Sequence, residues 1–575
     1  MKAARAALVV TATLGACATS GESTLPEPVS FPSDGGAPDE SCLLQCSVDF
    51  RSVVRSCDGS IVETCPDDLA CGDGACVEPC RATALAKSSL GCEFYLQPPS
   101  VRRWGSANCY AAYLVNASSS PVDVTLHRGD EAIDVTEAVY RMTPDAELEK
   151  ISGPIPPGEA AIVFVAHGPR PTPQQDHVAC PVPPALDQWP IPFQTARGAS
   201  FRLTTSAPVS AATIYPYGGA ESYIPSSTLL LPVPGWGKQH VVVQAWQRML
   251  GRVEGGVPTL QIVAAEDDTE VNLVPIVDVQ DGDGVVGGAK GARVTYRLGK
   301  GELLQLAQAE ELSGSRVDAN KPIALFGGHE CMFIPSDVGY CDTAQQQIPS
   351  FEQWGSEYVA VRYRGRASDT ESVPYRIVAA VADTALTYDP EPPPGAPSRM
   401  SAGDVVTFWT GAPFVVRSQD ADHPFYLASY MTGGDNVSRA GPGDPEFVNV
   451  VPAGQYLNAY TFFADPTYAE TSLVLVRERT ETGFEDVWLE CAGGIVDGWT
   501  PVGNGGKFEY RRVDLSRSNG PGETFPNGTC GRGLQRLTSK GPFTATLWGW
   551  AAWASYAYPG GMAQRKLVSR PLDVH

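Results

Sequence analysis

Downstream of Cys109 the chain alternates apolar segments of five to eight residues with clusters of Gly, Pro, Asn and Asp, and no long stretch places apolar residues at helical spacing. This pattern predicts short strands joined by turns, the texture of a series of β-sandwiches or barrels. The strands recur in register. Arg202-Leu203 leads to Pro208 and the apolar run Val209 to Tyr215, and Arg316-Val317 leads in the same way to Pro322 and Ile323 to Phe326. Arg536-Leu537 leads to Pro542 and Phe543 to Trp548, while a fourth copy runs from Val415-Val416-Arg417 to Pro424 and Phe425 to Leu427. The prolines are spaced by 114, 102 and 118 residues, the size of one sandwich unit. A proline cannot donate to a ladder, so each is expected to open a strand or sit on an edge.

Other elements repeat in step. Leu231-Pro232 precedes Trp236-Gly237 and Val241 to Val243, Ile348-Pro349 precedes Trp354-Gly355 and Val359 to Val361, and Val451-Pro452 precedes Tyr456. Ile262 to Ala265 with Asp268-Thr269 returns as Ile377 to Ala380 with Asp383-Thr384, where the Asp side chains suit a strand reversal.

Composition sharpens this picture. The 58 Gly and 49 Pro of the 575 residues oppose long helices, and 65 Asp plus Glu against 42 Lys plus Arg give a formal charge of −23. A chain this acidic repels polyphosphates, so nucleic acid is not expected as a partner. Lys2 and Arg5 precede an uncharged run from Ala6 to Ala16, too short for a permanent span, which reads as a secretory signal. Its ending, Leu14-Gly15-Ala16-Cys17, resembles a bacterial lipobox, so Cys17 is expected to carry lipid and tie the chain to a membrane. The 15 Cys fit that reading, because lipid on Cys17 leaves an even number for disulfides in an oxidising compartment. Eight of them lie between Cys42 and Cys92 in a stretch poor in large apolar residues, which bridges would have to staple. The remaining disulfide candidates are Cys109, Cys180, Cys331, Cys341, Cys491 and Cys530.

The run Gly314 to Val317, Lys321-Pro322 to Gly327-Gly328-His329, Cys331, Ile334-Pro335, Cys341-Asp342, Gln347-Ile348-Pro349 and Trp354-Gly355 resembles the hallmark of the IgGFc-binding protein N-terminal domain, supported upstream by Ala265 to Val271. The resemblance covers about Val241 to Gly433, and the repeat extends it to Cys109 to Gly561. Thr343 stands where the family usually has His, and Ser350 where it has a second Pro. The Cys-rich segment behind a lipobox is similar to bacterial lipoprotein members. The resemblance implies an extracellular, β-rich protein that binds or adheres without catalysis. It does not carry over immunoglobulin binding, which belongs to animal mucus-type members.

No Gly-x-Ser-x-Gly, His-Glu-x-x-His or P-loop motif occurs. His329 and Cys331 could pair as base and nucleophile, but two Cys ten residues apart in an exported chain favour a Cys331–Cys341 disulfide. Asp281 and Asp283, after Asp278, have the look of a calcium-loop fragment, yet read first as a Gly-rich hairpin tip without the oxygens of a full site. Trp548, Trp550, Trp553, Tyr556 and Tyr558 read as a core-sealing aromatic strand ahead of a carbohydrate platform. No cofactor is implied.

The expected organisation is all-β. A signal peptide spans 1–16, a tether 17–41 and a disulfide module 42–109, followed by tandem β units at 110–225, 226–335, 336–440 and 441–565 and a tail at 566–575. The expected function is a cell-envelope lipoprotein, at the outer membrane of a Gram-negative bacterium, presenting a surface to an extracellular protein or polysaccharide. The alternative is a secreted hydrolase with an unrecognised active site.

Overall fold

A long strand that bends and changes sheets organises each unit. A computed structural model of the protein describes residues 43–47, 51–66, 68–101, 107–143, 146–168, 177–222, 224–248, 256–336 and 340–574. The signal peptide, Cys17 and the tether lie outside the described residues. All described strands and helices belong to the unit Leu44–His575 and are nearly all β.

Phe201–Tyr215 pairs through its first half with Gly91–Leu96 and Val124–Arg128, and through its second with Tyr110–Asn116 and Ser226–Leu229. Arg316–Met332 pairs first with Gly237–Val241 and Thr269–Val274, then with Pro258–Ala264 and Asp342–Ile348. Gly533–Ala551 pairs first with Leu457–Ala464 and Val487–Leu489, then with Glu470–Glu478 and Ala554–Pro559. In the remaining unit the strand is cut in two: Phe414–Ser418 pairs with Glu357–Ala360 and Thr384–Asp389, and Phe425–Met431 with Val373–Ala379 and Glu446–Asn449. Four units thus share one topology, two sheets joined by a corner strand. In the third, Tyr358, Phe414 and Val416 of one sheet and Tyr375, Ile377 and Leu427 of the other fill a common core.

The recurring prolines explain the corner. Pro208, Pro322 and Pro542 lie inside unbroken strands, not at their starts, and the pairing skips past each of them between Thr204 and Val209, Asp318 and Ile323, and Thr538 and Phe543. The missing N–H falls where the strand leaves one partner for another and no ladder bond is due. Only Pro424 stands before a separate strand, Phe425–Met431. The Asp-Thr pairs occupy strand reversals: Asp268 and Asp383 take left-handed φ of 52° and 57°, and the hydroxyls of Thr269 and Thr384 donate to Glu266 O and Val381 O.

Each corner strand is followed in the chain by a short inner strand: Ser226–Leu229, Asp342–Ile348, Glu446–Asn449 and Ala554–Pro559. These four come from four separate sheets, each packs against the next, and the last returns to the first, closing a ring. The boundaries expected near 225, 335 and 440 fall between a corner strand and its inner strand.

Linkers with a single 3-10 turn then lead to the next unit: Val233–Gly235, Phe351–Gln353 and Ala453–Gln455. The glycine that begins a unit packs on the linker of the following one. A Cβ would fall 2.4 Å from Pro232 at Gly91, 2.4 Å from Ser350 at Gly237 and 2.3 Å from Pro452 at Gly355. Ser350, which departs from the family proline, therefore fills the place that Pro232 and Pro452 fill elsewhere. The C-terminal segment runs across these linkers. Ala563 bridges Ser88, Gln564 N donates to Lys87 O at 2.6 Å, Leu567 N donates to Glu352 O at 2.8 Å and Leu572 N to Gln239 Oε1 at 2.9 Å.

The N-terminal module has little apolar core beyond Val53 and its own sulfurs. Disulfides Cys46–Cys71 and Cys65–Cys76 close it, and Cys80–Cys92 ties its helix Pro79–Ala86 to the first strand of the first unit. Glu78 caps that helix through Cys80 N and Arg81 N. Cys57 is also disulfide-bonded.

Candidate functional site

The family-hallmark residues converge on the ring. His329 and Cys331 end the second corner strand, the Cys331–Cys341 disulfide closes the connection, and Asp342 opens the inner strand that carries Gln345, Gln346 and Gln347. An inner strand pairs along one edge only, so its other edge must find donors elsewhere or leave buried carbonyls bare. Gln346 supplies them. Its Nε2 donates toward Ser227 O at 2.8 Å, Phe447 O at 3.0 Å and Ala557 O at 3.1 Å, one carbonyl from each of the other three inner strands. Gln347 Oε1 accepts from Leu231 N, Asn449 Nδ2 donates to Gln347 O, and Gln345 N donates to Ser226 Oγ. Pro349 O accepts from Trp354 Nε1, and Gly355 N donates to Tyr358 Oη. These residues build a frame.

His329 is fully buried, and its Nδ1 accepts from Cys331 N at 3.1 Å. With the Cys331 sulfur bonded to Cys341, the thiol a Cys–His pair would use is occupied. Cys109–Cys180 and Cys491–Cys530 are the further bridges of the first and fourth units. Asp281 and Asp283 are exposed. Asp281 Oδ1 accepts from Gly287 N within a small irregular hairpin, and no group of three His, Cys, Asp or Glu among the described residues could hold a metal ion. Trp548, Trp550, Tyr556 and Tyr558 are buried, and both tryptophans pack on Tyr363. Trp553 alone of that group reaches the surface.

Three carboxyls sit at the starts of the inner strands. Asp342, Asp444 and Glu446 are all fully buried. Ser555 joins two of them, its N donating to Asp342 Oδ2 at 3.2 Å and its Oγ accepting from Asp444 N at 2.9 Å. One oxygen of each, Asp342 Oδ1, Asp444 Oδ2 and Glu446 Oε2, has no hydrogen-bond partner among the described residues. Burial, and then the charges of Asp444 and Glu446, hold the Asp342 carboxyl well above the usual carboxylate range. Burial does the same for Glu446 and pushes Asp444 up to about 8, against the pull of Gly434 N–H and Arg366.

A pH dependence follows. A folded-state pKa raised above the unfolded value means the folded chain keeps a proton the unfolded chain has lost, so this stabilisation is full below about pH 4 and fades as pH rises toward 8. Asp444→Asn, which retains the acceptor for Gly434 N, should match wild type in thermal unfolding at acid pH and exceed it at pH 9. Parallel curves from pH 5 to 9 would show that the carboxyl is not held protonated.

Above this layer lie the connections from corner to inner strand. Gly433 N of the third unit donates to Ile334 O of the second at 2.8 Å, and Ala552 of the fourth bridges Pro442 and Gly443 of the third. At the edge of these contacts Tyr340, 57% exposed, stacks on Trp553 with ring centroids 4.6 Å apart and planes inclined at 44°. A separate cleft of about 950 Å³ lies where the first unit meets the fourth, but its Arg141 already pairs with Glu149 and Glu159 and its Arg536 with Glu490.

Residues 226–549, from the first inner strand to the second half of the last corner strand, match the family described as IgGFc binding protein. The chain belongs to that family. Over 226 residues, 37% of this chain, it is 28% identical to the IgGFc-binding protein of Homo sapiens, and it spans 4% of that relative's length. No solved structure matches. Within the IgGFc-binding match, His329, Cys331, Pro335, Cys341, Asp342 and Gln347 serve the corner and inner strand of the second unit, and Pro349, Trp354 and Gly355 the linker from it into the third. Sequence reasoning missed Gln346, Asp444, Glu446 and Ser555. Apart from the three consecutive glutamines in the strand Asp342–Ile348, nothing in the local sequence marked them.

Proposed function

We propose that this protein is a lipid-anchored, non-catalytic component of a bacterial cell envelope that binds an extracellular protein through the loop face of its ring. The observation that carries this reading is the use made of the family-hallmark residues. They build and clamp the frame, and what that frame holds outward is a cluster of loops from three units meeting at Tyr340, Gly433 and Ala552. Rigid elements presenting convergent loops are the usual architecture of a recognition surface. Membership in a family named for binding supports the same role, and the disulfides support export.

A photo-crosslinking side chain at exposed Ala552 should capture an envelope or extracellular protein, whereas the same group at exposed Thr538, on the outside of a corner strand, should not. Equal capture at both positions, or at neither, would overturn the loop face as the binding surface. Anchoring is tested separately. Cys17→Ser should move the protein from the membrane to the soluble fraction; a wild-type protein already soluble with an unmodified N-terminal mass would exclude the lipid.

A further inference from the structure

We propose that Tyr340 and Trp553 form a binding clamp for a cationic side chain, an arginine or lysine, of the extracellular protein partner. The inference rests on the loop face being the binding surface and names the chemistry it recognises there.

The backbone carries the first part of the argument. Both aromatics occupy the left-handed region, Tyr340 at φ 69° and Trp553 at φ 59°. Bulky side chains are genuine outliers there, and glycine or asparagine would sit in that region with far less strain. Two such residues on loops of different units, stacked on each other at the surface, oppose the local preference of each backbone. Strain of this kind persists only where the surroundings enforce it. The enforcement is visible. Tyr340 adjoins the Cys331–Cys341 bridge. Trp553 N donates to Gly441 O at 2.7 Å, and its indole lies so close over Gly441 that a Cβ there would fall 2.4 Å from the ring. Burial does not account for the arrangement, since Tyr340 is more than half exposed.

The charge of the partner follows from the chain's own. Aromatic faces carry negative electrostatic potential and attract guanidinium or ammonium groups within about 6 Å of the ring centroid, most strongly for Trp. Tyr340, more than half exposed, and Trp553 beside it, with centroids 4.6 Å apart and planes inclined at 44°, put aromatic surface where a cation arriving from solvent can meet it. The exposed charges of the loop beneath, Asp435 and Arg439, offset each other, so the field at long range is that of a chain with 65 acidic and 42 basic residues, which draws a basic partner toward it.

The test uses Tyr340→Asn with Trp553→Gly in one protein, a change that alters no charge and suits both backbone conformations. Probes are immobilised peptides of equal length alternating Gly with Arg, Lys, Ser or Glu, and a panel of neutral oligosaccharides. Wild type should retain the Arg and Lys peptides, and the double variant should bind them at least tenfold more weakly while melting at the same temperature or higher. Three results overturn the proposal: undiminished binding of basic peptides by the variant, which leaves only the general negative field; loss of an oligosaccharide interaction instead, which makes the pair a sugar platform; or a markedly lower melting temperature, which makes the pair structural. Crosslinking at Ala552 reads the loop face independently, so capture there alongside a silent clamp would fail this inference and leave the broader reading standing.

Discussion

Gln346→Leu should destabilise the protein by about 3 to 5 kcal/mol, because it removes the donor shared by three buried inner-strand carbonyls while leaving those carbonyls in place. Each buried acceptor left without a partner costs roughly 1 to 3 kcal/mol, and the two amide protons are shared among three oxygens, so the sum falls short of three full penalties. Leucine is similar in volume, so packing loss contributes little. Urea unfolding followed by tryptophan fluorescence would measure the effect. A loss below about 1 kcal/mol would mean that the ring does not depend on this side chain.

A comparable loss is expected from Gly327→Ala, for a steric reason. A Cβ at residue 327 would lie 1.6 Å from the carbonyl oxygen of Val243. That backbone has no room to yield, because Gln244 N donates to Ser313 Oγ and Ala245 N to Gly328 O on either side of the second corner strand. Overpacking a core costs about 1 to 3 kcal/mol where side chains can shift, and here the obstacle is main chain. The expected outcome is a loss of about 3 kcal/mol or more, or no folded protein. Gly531, which has nothing within 4 Å of its notional Cβ, provides the control; Gly531→Ala should remain within about 0.5 kcal/mol of wild type. Equal stabilities for the two variants would show that the close approach of residue 327 to Val243 is relieved at no cost.

The repeat was legible because its markers report backbone geometry. Pro208, Pro322 and Pro542 recur where a strand changes partners, Asp268 and Asp383 where one reverses, and Gly237 and Gly355 where a linker presses close. These requirements act on single residues and leave a mark at a fixed place. Two features were read differently from the sequence. The prolines were expected to open strands or sit on edges; Pro424 precedes its strand, whereas Pro208, Pro322 and Pro542 lie within theirs, because a bulge lets a strand continue through a missing donor. The aromatic run from Trp548 to Tyr558 was read as one core-sealing strand, whereas it is a hairpin whose strands bury Trp548, Trp550, Tyr556 and Tyr558 and whose tip carries Trp553. The ring itself left little trace. Its contacts join strands more than a hundred residues apart, as Gln346 to Ser227 and Phe447, and Ser555 to Asp342, and no local periodicity encodes such pairings.

A closed circle of inner strands also constrains the order in which the chain can take its shape. The strand ending at Pro559 packs on the strand beginning at Ser226, and Gln564 reaches back to Lys87. During synthesis or secretion from the N-terminus, the first three units can pair their own strands as they emerge, but the flank of the first stays uncovered until the last hundred or so residues follow. A polypeptide stalled before residue 554 would therefore display an exposed seam on an otherwise ordered body, a surface that quality-control proteases and chaperones could recognise as a sign of incompleteness.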